Sequence, residues 1–123
     1  MEAPTKICAH CGRLVEYRRK WQSSWDRVRY CSAACRRASG RAIHRQLEEE
    51  ILTRLAGRDA GSSICPSEVA RAVFPESSWR SRMEDVRRAA RRLAHRGEIR
   101  ITQKGRTVDP AAFRGPIRLA RVS

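Results

Sequence analysis

The sequence predicts a small α+β protein made of two units, a cysteine-rich finger followed by a helical domain that ends in β-strands. Three observations support this prediction. Two cysteine pairs lie near the N-terminus, helix-like apolar spacing fills the middle of the chain, and alternating apolar residues follow it. A chain of 123 residues makes one domain or two very small ones, and it is too short for a barrel or a doubly wound enzyme fold.

The composition is strongly basic. Lys and Arg number 27 against 13 Asp and Glu, which gives a formal net charge of +14, and nearly all of the basic residues are Arg. Such a charge attracts polyanions, and arginine matches phosphate geometry, although an arginine-rich coding bias would produce the same composition. The first residues lack the apolar segment of a secretion signal and no apolar run is long enough to span a bilayer, so we expect a cytoplasmic protein without membrane contacts.

The first 40 residues predict a zinc-binding finger. A cytoplasmic chain keeps its thiols reduced, so paired cysteines indicate a metal, although redox dithiols or buried free thiols are the alternative. Gly12 can take the positive φ of a metal-binding turn, and Ser32 can cap a short helix. We expect His10 to be a surface residue of that turn. The expected ligands of one structural Zn²⁺ are Cys8, Cys11, Cys31 and Cys35.

Two tryptophans, Trp21 and Trp25, lie between the cysteine pairs. In so small a unit they are expected to pack around the metal site, where they replace a core. The alternative is that they stack on nucleic-acid bases while Arg18, Arg19 and Lys20 contact phosphates.

Residues 6–37 resemble a short bacterial four-cysteine zinc-finger family of unknown function, on the motifs CAHCGR, RRKWQSSW and VRYCSAACRR. The CSAAC ending is also similar to treble-clef fingers, such as the small bacterial inhibitor of DNA gyrase. The resemblance implies a treble-clef-like finger or zinc knuckle. Fingers of that kind bind proteins as readily as nucleic acids.

Residues 41–123 predict three helices, one very short strand and two longer strands. A helix from Ala42 to Ala56 carries an apolar stripe, a short strand follows near Ser63, and Pro66 opens a second helix that ends before Pro75. A third helix covers about residues 79–96, and two strands, 98–102 and 115–122, flank a loop of about residues 103–116. This order is typical of a winged helix-turn-helix domain in which the loop is the wing.

The third helix is predicted to be apolar on one side and arginine-rich on the rest. In a winged helix this helix enters the major groove and the wing reaches phosphates or the minor groove. We expect its arginines to form one exposed cationic ridge. The predicted nucleic-acid contacts are Arg80, Arg87, Arg88, Arg91 and Arg92 on the helix, and Lys104 and Arg106 on the wing.

Residues 47–122 resemble a second bacterial family of unknown function, on the motifs SICPSEVARAV, VRRAARRLAHRGEI, TQKG and GPIRLAR. That family is similar to winged helices and implies no activity. The chain therefore resembles a fused two-domain bacterial protein whose role is unassigned.

A nucleic-acid-binding, regulatory protein with duplex DNA as its partner is the first functional hypothesis. A protein-interaction module and a structured-RNA-binding protein are the alternatives, because fold does not fix function. We expect no enzyme and no small-molecule substrate, since the zinc would be fully ligated by protein and the sequence shows no nucleophile–base pair. Cys65 is expected to be a small buried residue, and His44 and His95 to be surface residues.

Overall fold

The structure, a computed structural model, describes residues 4–122. Within that range the chain forms four α-helices and two antiparallel sheets. The N-terminal part is a hairpin, two short 3-10 turns and one helix. Its elements are β1 (Thr5–Ile7), β2 (Leu14–Glu16), the turns Arg19–Trp21 and Trp25–Arg27, and α1 (Ala33–Ala38).

The C-terminal part packs three helices against a four-stranded sheet of order β3-β6-β4-β5. In register, Arg100 of β4 pairs with Ala120 of β6, and Ile64 of β3 pairs with Leu119. The elements are α2 (Ala42–Ala56), β3 (Ser63–Ile64), α3 (Pro66–Val73), a 3-10 turn (Trp79–Arg82) leading into α4 (Met83–His95), β4 (Arg100–Gln103), β5 (Arg106–Thr107) and β6 (Arg118–Ala120).

One hydrophobic core holds this part together. The stripe of α2 buries Leu47, Ile51 and Leu55 against Val86 and Leu93 of α4, all with at most 2% of their surface exposed. Burying a side chain of this size stabilises the fold by about 1.5–3 kcal/mol before the entropy cost of folding is subtracted. None of the helices in residues 4–122 is long and apolar enough to cross a membrane.

Two features differ from the expected pattern. The helix predicted at about residues 79–96 begins as a 3-10 turn and becomes α-helical, as α4, only at Met83. The loop expected at about residues 103–116 contains a short strand, β5, which pairs with β4 through a tight hairpin in which Lys104 and Gly105 have φ of 51° and 79°. Two successive residues with positive φ match the right-handed twist of a two-residue hairpin, so the chain turns back at once.

Candidate metal centre and the surface around it

Four cysteines come together at one point of the N-terminal part. Their sulfur atoms all lie within 4.8 Å of one another, close enough to bind one metal ion. The turn between β1 and β2 supplies Cys8 and Cys11, and Gly12 follows with a φ of 78°. The start of α1 supplies the other pair, Cys31 and Cys35.

The helix cap fixes the second cysteine pair. Ser32 Oγ accepts a hydrogen bond from the backbone N–H of Cys35 at 3.1 Å. This N-cap satisfies one of the unpaired donors of the first turn and sets the spacing of Cys31 and Cys35. The serine cap and the positive φ of the glycine, both predicted, are confirmed.

The chemistry of the four sulfurs fits a soft divalent cation. The hydrogen bond from the Cys11 thiol lowers the pKa of Cys8 to about 4, and the backbone N–H groups of Cys11 and Cys31 act in the same direction. The pKa of Cys11 is raised by its hydrogen bond to Cys8 and that of Cys35 by burial, so these thiols keep their protons. A bound cation would replace those protons and compensate the negative charge of four neighbouring thiolates.

The metal-binding turn lies directly on α4. Three consecutive carbonyl oxygens of the turn accept hydrogen bonds from side chains of that helix. His10 O accepts from Arg92 Nη1 at 2.6 Å, Cys11 O from Arg91 Nη1 at 3.2 Å, and Gly12 O from His95 Nε2 at 2.8 Å. We call this set the turn–helix contact.

The turn–helix contact encloses Arg91 and Arg92. Arg91 keeps 2% of its side-chain surface exposed and forms an ion pair with Glu84 at 3.0 Å. Arg92 keeps 10% and forms an ion pair with Glu48 at 2.6 Å. The expectation that both arginines face solvent is therefore wrong, because the finger covers their face of α4 and both charges are compensated internally.

The remaining arginines of the predicted ridge point to different surroundings. Arg88 is paired with Asp85 at 3.5 Å. Arg80 is exposed, with its Cζ 4.6 Å from the centroid of the Trp79 ring. Arg87 donates to the carbonyl of Gly115 at 3.4 Å, which ties α4 to the segment before β6. The expectation of one continuous cationic ridge on this helix is wrong.

The other predicted contact residues are exposed. Lys104 and Arg106 lie on the β4–β5 hairpin, and the finger presents Arg18, Arg19 and Lys20. None of these five side chains forms an ion pair with a carboxylate in residues 4–122. Their proposed contact with nucleic acid stays a prediction.

Two histidines expected on the surface are buried instead. His10 and His44 retain 2% and 8% of their surface, and their rings meet edge to face at 4.7 Å. Burial lowers the pKa of His10 to about 4 and also lowers that of His44, so both rings are neutral at pH 7. The expectation failed because the finger turn lies against α2, a contact between distant parts of the sequence.

Sequence reasoning missed the partners that complete the contact. Arg13 donates to the carbonyl of Phe113 at 2.8 Å, and its Cζ lies 4.6 Å from the centroid of that ring. The signal that could have found this arrangement is the short connection between α1 and α2, residues 39–41, which holds the finger beside the helices.

Trp21 and Trp25 pack against the four-cysteine cluster, as expected, and their ring centroids are 5.9 Å apart at 26°. Cys65 lies apart from that cluster and is half-buried, less than expected, where its sulfur accepts a hydrogen bond from Ser67 Oγ at 3.0 Å.

Removing the carboxylate of Glu48 should weaken the turn–helix contact. Glu48→Gln leaves the enclosed Arg92 without its charged partner, and we expect a loss of about 2–4 kcal/mol in the free energy of unfolding. The control is Glu98→Gln. Glu98 forms an exposed ion pair with Arg96, which also binds Glu48, and the loss of this exposed pair should cost less than about 1 kcal/mol. Urea denaturation measures both, and equal losses would contradict the account.

The difference in unfolding free energy between the wild type and Glu48→Gln, measured by urea denaturation, should depend on pH. Burial alone would raise the pKa of Glu48, but hydrogen bonds from Arg96 and Arg92 outweigh it and hold that pKa below its ordinary 4.5. A depressed pKa in the folded state stabilises the protein above the ordinary value, and this stabilisation disappears as the pH falls below it. The stability gap to Glu48→Gln should therefore narrow in acid.

The chain as a whole combines a four-cysteine finger with a helical domain that carries a small sheet. Residues 44–122 match the family described as "Protein of unknown function (DUF3253)", and the chain belongs to that family. Residues 1–38 match a second family, "Uncharacterized protein conserved in bacteria (DUF2256)". The two resemblances seen in the sequence are thereby confirmed. No curated protein matches the chain.

Proposed function

We propose that the protein binds nucleic acid, with duplex DNA as the favoured partner, through basic residues around the β4–β5 hairpin. The observation that carries the proposal is a set of cations without carboxylate partners in the described part of the chain. We call it the hairpin surface, and it consists of Arg87, Lys104, Arg106, Arg114 and Arg118.

Internal hydrogen bonds hold the hairpin surface in shape. Gln103 Nε2 donates to the carbonyls of Arg114 at 2.5 Å and Pro116 at 3.1 Å, which ties the hairpin to the segment before β6. A groove of about 620 Å³ lies between the hairpin and this segment. It is lined by Lys104, Arg114 and Arg118 and by no described acidic residue. Because these hydrogen bonds fix the backbone that carries Lys104 and Arg114, less conformational entropy is lost when a phosphate binds.

The element order supports a winged-helix reading of residues 41–123. Helix, short strand, helix, helix and hairpin follow one another, and the β4–β5 hairpin takes the position of the wing. The finger covers Arg91 and Arg92, so this proposal assigns the contacts to the hairpin surface; a contact by the exposed Arg80, in the 3-10 turn before α4, stays a prediction. Arg88, already paired, is left out.

We further propose that the metal is Zn²⁺ with a structural role and that the protein is not an enzyme. Four thiolates are a typical structural zinc set, and such a set leaves no open position for water or substrate. Zinc would supply the stability that the finger's few buried residues cannot.

Charge removal tests the nucleic-acid proposal. Arg106→Gln with Arg114→Gln should weaken binding of a labelled 20-base-pair duplex about tenfold at low salt, because phosphate contacts dominate such affinities. The matched control, Arg54→Gln with Arg58→Gln, removes two charges that are already paired with Glu50 and Glu68. It should change the affinity by less than about threefold. Equal losses in a fluorescence anisotropy titration would show attraction by net charge alone and contradict the assigned surface.

A further inference from the structure

We propose that a second groove, on the finger, binds an unpaired nucleotide within a single-stranded segment. The inference rests on the proposed function for its ligand class, but it concerns a different surface and different residues. We call it the finger groove; it measures about 440 Å³, and the lining residues that matter here are Lys20, Trp21, Arg27, Arg29, Tyr30 and Arg36. Its volume falls within the range of roughly 300–1,000 Å³ that small ligands occupy.

The charges of the finger groove suit a phosphate. Lys20, Arg27, Arg29 and Arg36 are exposed and make no ion pair with a described carboxylate. No described carboxylate lines the groove, although Cys31, one of the four expected metal ligands, does. Four positive charges around a concave surface concentrate an anionic ligand there.

The aromatic residues of the finger groove suit a base. Trp21 is half-buried with one face supported by Trp25, and Tyr30 is held by a hydrogen bond from its hydroxyl to Ser39 Oγ at 3.2 Å. Rings fixed in this way can accept a base without being ordered first. Lys20 Nζ lies over the Trp21 ring, 5.2 Å from its centroid, and Arg29 Cζ lies over the Tyr30 ring at 5.9 Å. A base that stacks on the same ring face must displace this cation, and both cations are exposed side chains that can move toward the phosphates.

This pairing of rings and cations selects a single strand over a duplex. Bases in a duplex are already stacked on one another and offer a protein only their edges and backbone. Unpaired bases expose their faces, and a protein binds them by stacking on aromatic rings while cations follow the backbone. An acidic peptide would satisfy the cations but would leave the two rings without a planar partner.

The test uses the full-length zinc-loaded protein and two probes, a ten-residue oligothymidylate and a blunt 20-base-pair duplex. Arg27→Gln with Arg36→Gln should weaken oligothymidylate binding about tenfold and leave duplex binding within about twofold. The hairpin pair, Arg106→Gln with Arg114→Gln, should do the reverse. Trp21→Leu, which keeps an apolar side chain against Trp25, should weaken oligothymidylate binding at least about fivefold.

The base contribution is measured with an abasic oligomer of the same length, which should bind at least about fivefold more weakly than oligothymidylate. Equal binding of the abasic oligomer, equal binding of polyglutamate, or no effect of Arg27→Gln with Arg36→Gln would overturn the finger groove while duplex binding remains. If the wild-type protein binds neither oligothymidylate nor the duplex, the proposed function itself is overturned. Circular dichroism of each variant establishes that it is folded.

Discussion

Replacing Gly12 with alanine should detach the metal-binding turn from α4. Gly12 has a φ of 78°, and a Cβ at this position would lie 2.3 Å from the Cβ of Arg91. The positive φ costs an alanine about 1 kcal/mol. The overlap adds about 1–3 kcal/mol, because the atom it meets is next to the helix backbone and cannot swing away. We expect a loss of about 2–4 kcal/mol in the free energy of unfolding and faster amide hydrogen exchange in the turn.

Gly40→Ala is the matched control for this change. Gly40 has a φ of 83°, but no atom lies within 4 Å of the added Cβ. It therefore reports the backbone strain alone, about 1 kcal/mol. If Gly12→Ala is no less stable than Gly40→Ala in urea denaturation, the close approach of the turn to Arg91 does not exist in solution.

Removal of the metal should unfold the finger and leave the C-terminal part folded. The buried apolar cluster of the finger consists of Cys8, Cys11, Val15 and Cys35, so the ligands themselves form most of its core. Structural zinc contributes about 10–16 kcal/mol of apparent binding free energy in small finger peptides at neutral pH. The larger cluster around Leu47 contains no metal ligand and should survive.

Chelation followed by circular dichroism and hydrogen exchange measures this effect. We expect the signals of α2 and α3 to persist while exchange rises throughout residues 5–38 and in α4, whose face the finger then uncovers. Cys8→Ser should reproduce this result. Cys65 lies outside the four-cysteine cluster, so the Cys65→Ser protein should bind one metal ion as the wild type does. A chelated protein with an unchanged exchange pattern would contradict a structural role for the metal.

Local patterns predicted the elements better than their contacts. The apolar stripe of α2 and the serine cap of α1 depend on neighbouring residues, and both are found as predicted. The four cysteines likewise assemble from two short motifs. The β5 strand was missed because its two residues are too few to show an alternating pattern.

The burial of the α4 arginines could not be predicted from the sequence. A helical wheel shows which face a residue occupies but not what covers that face. The hydrogen bonds of Arg91 and Arg92 to the turn join residues that are 80 and 82 positions apart. Arg91 and Arg92 can be enclosed because Glu84 and Glu48 compensate their charges. Glu48 and Arg92 are far apart in the sequence, so no local spacing predicts their ion pair.

The most direct test of nucleic-acid binding is the affinity for a 20-base-pair duplex across a series of salt concentrations. Neutralising about five phosphates, the number of cations on the hairpin surface, predicts a slope near −4.5 in a plot of log affinity against log salt. Arg106→Gln with Arg114→Gln should reduce that slope by about two. Absence of binding at the lowest ionic strength, or a slope that the substitutions leave unchanged, would contradict the account.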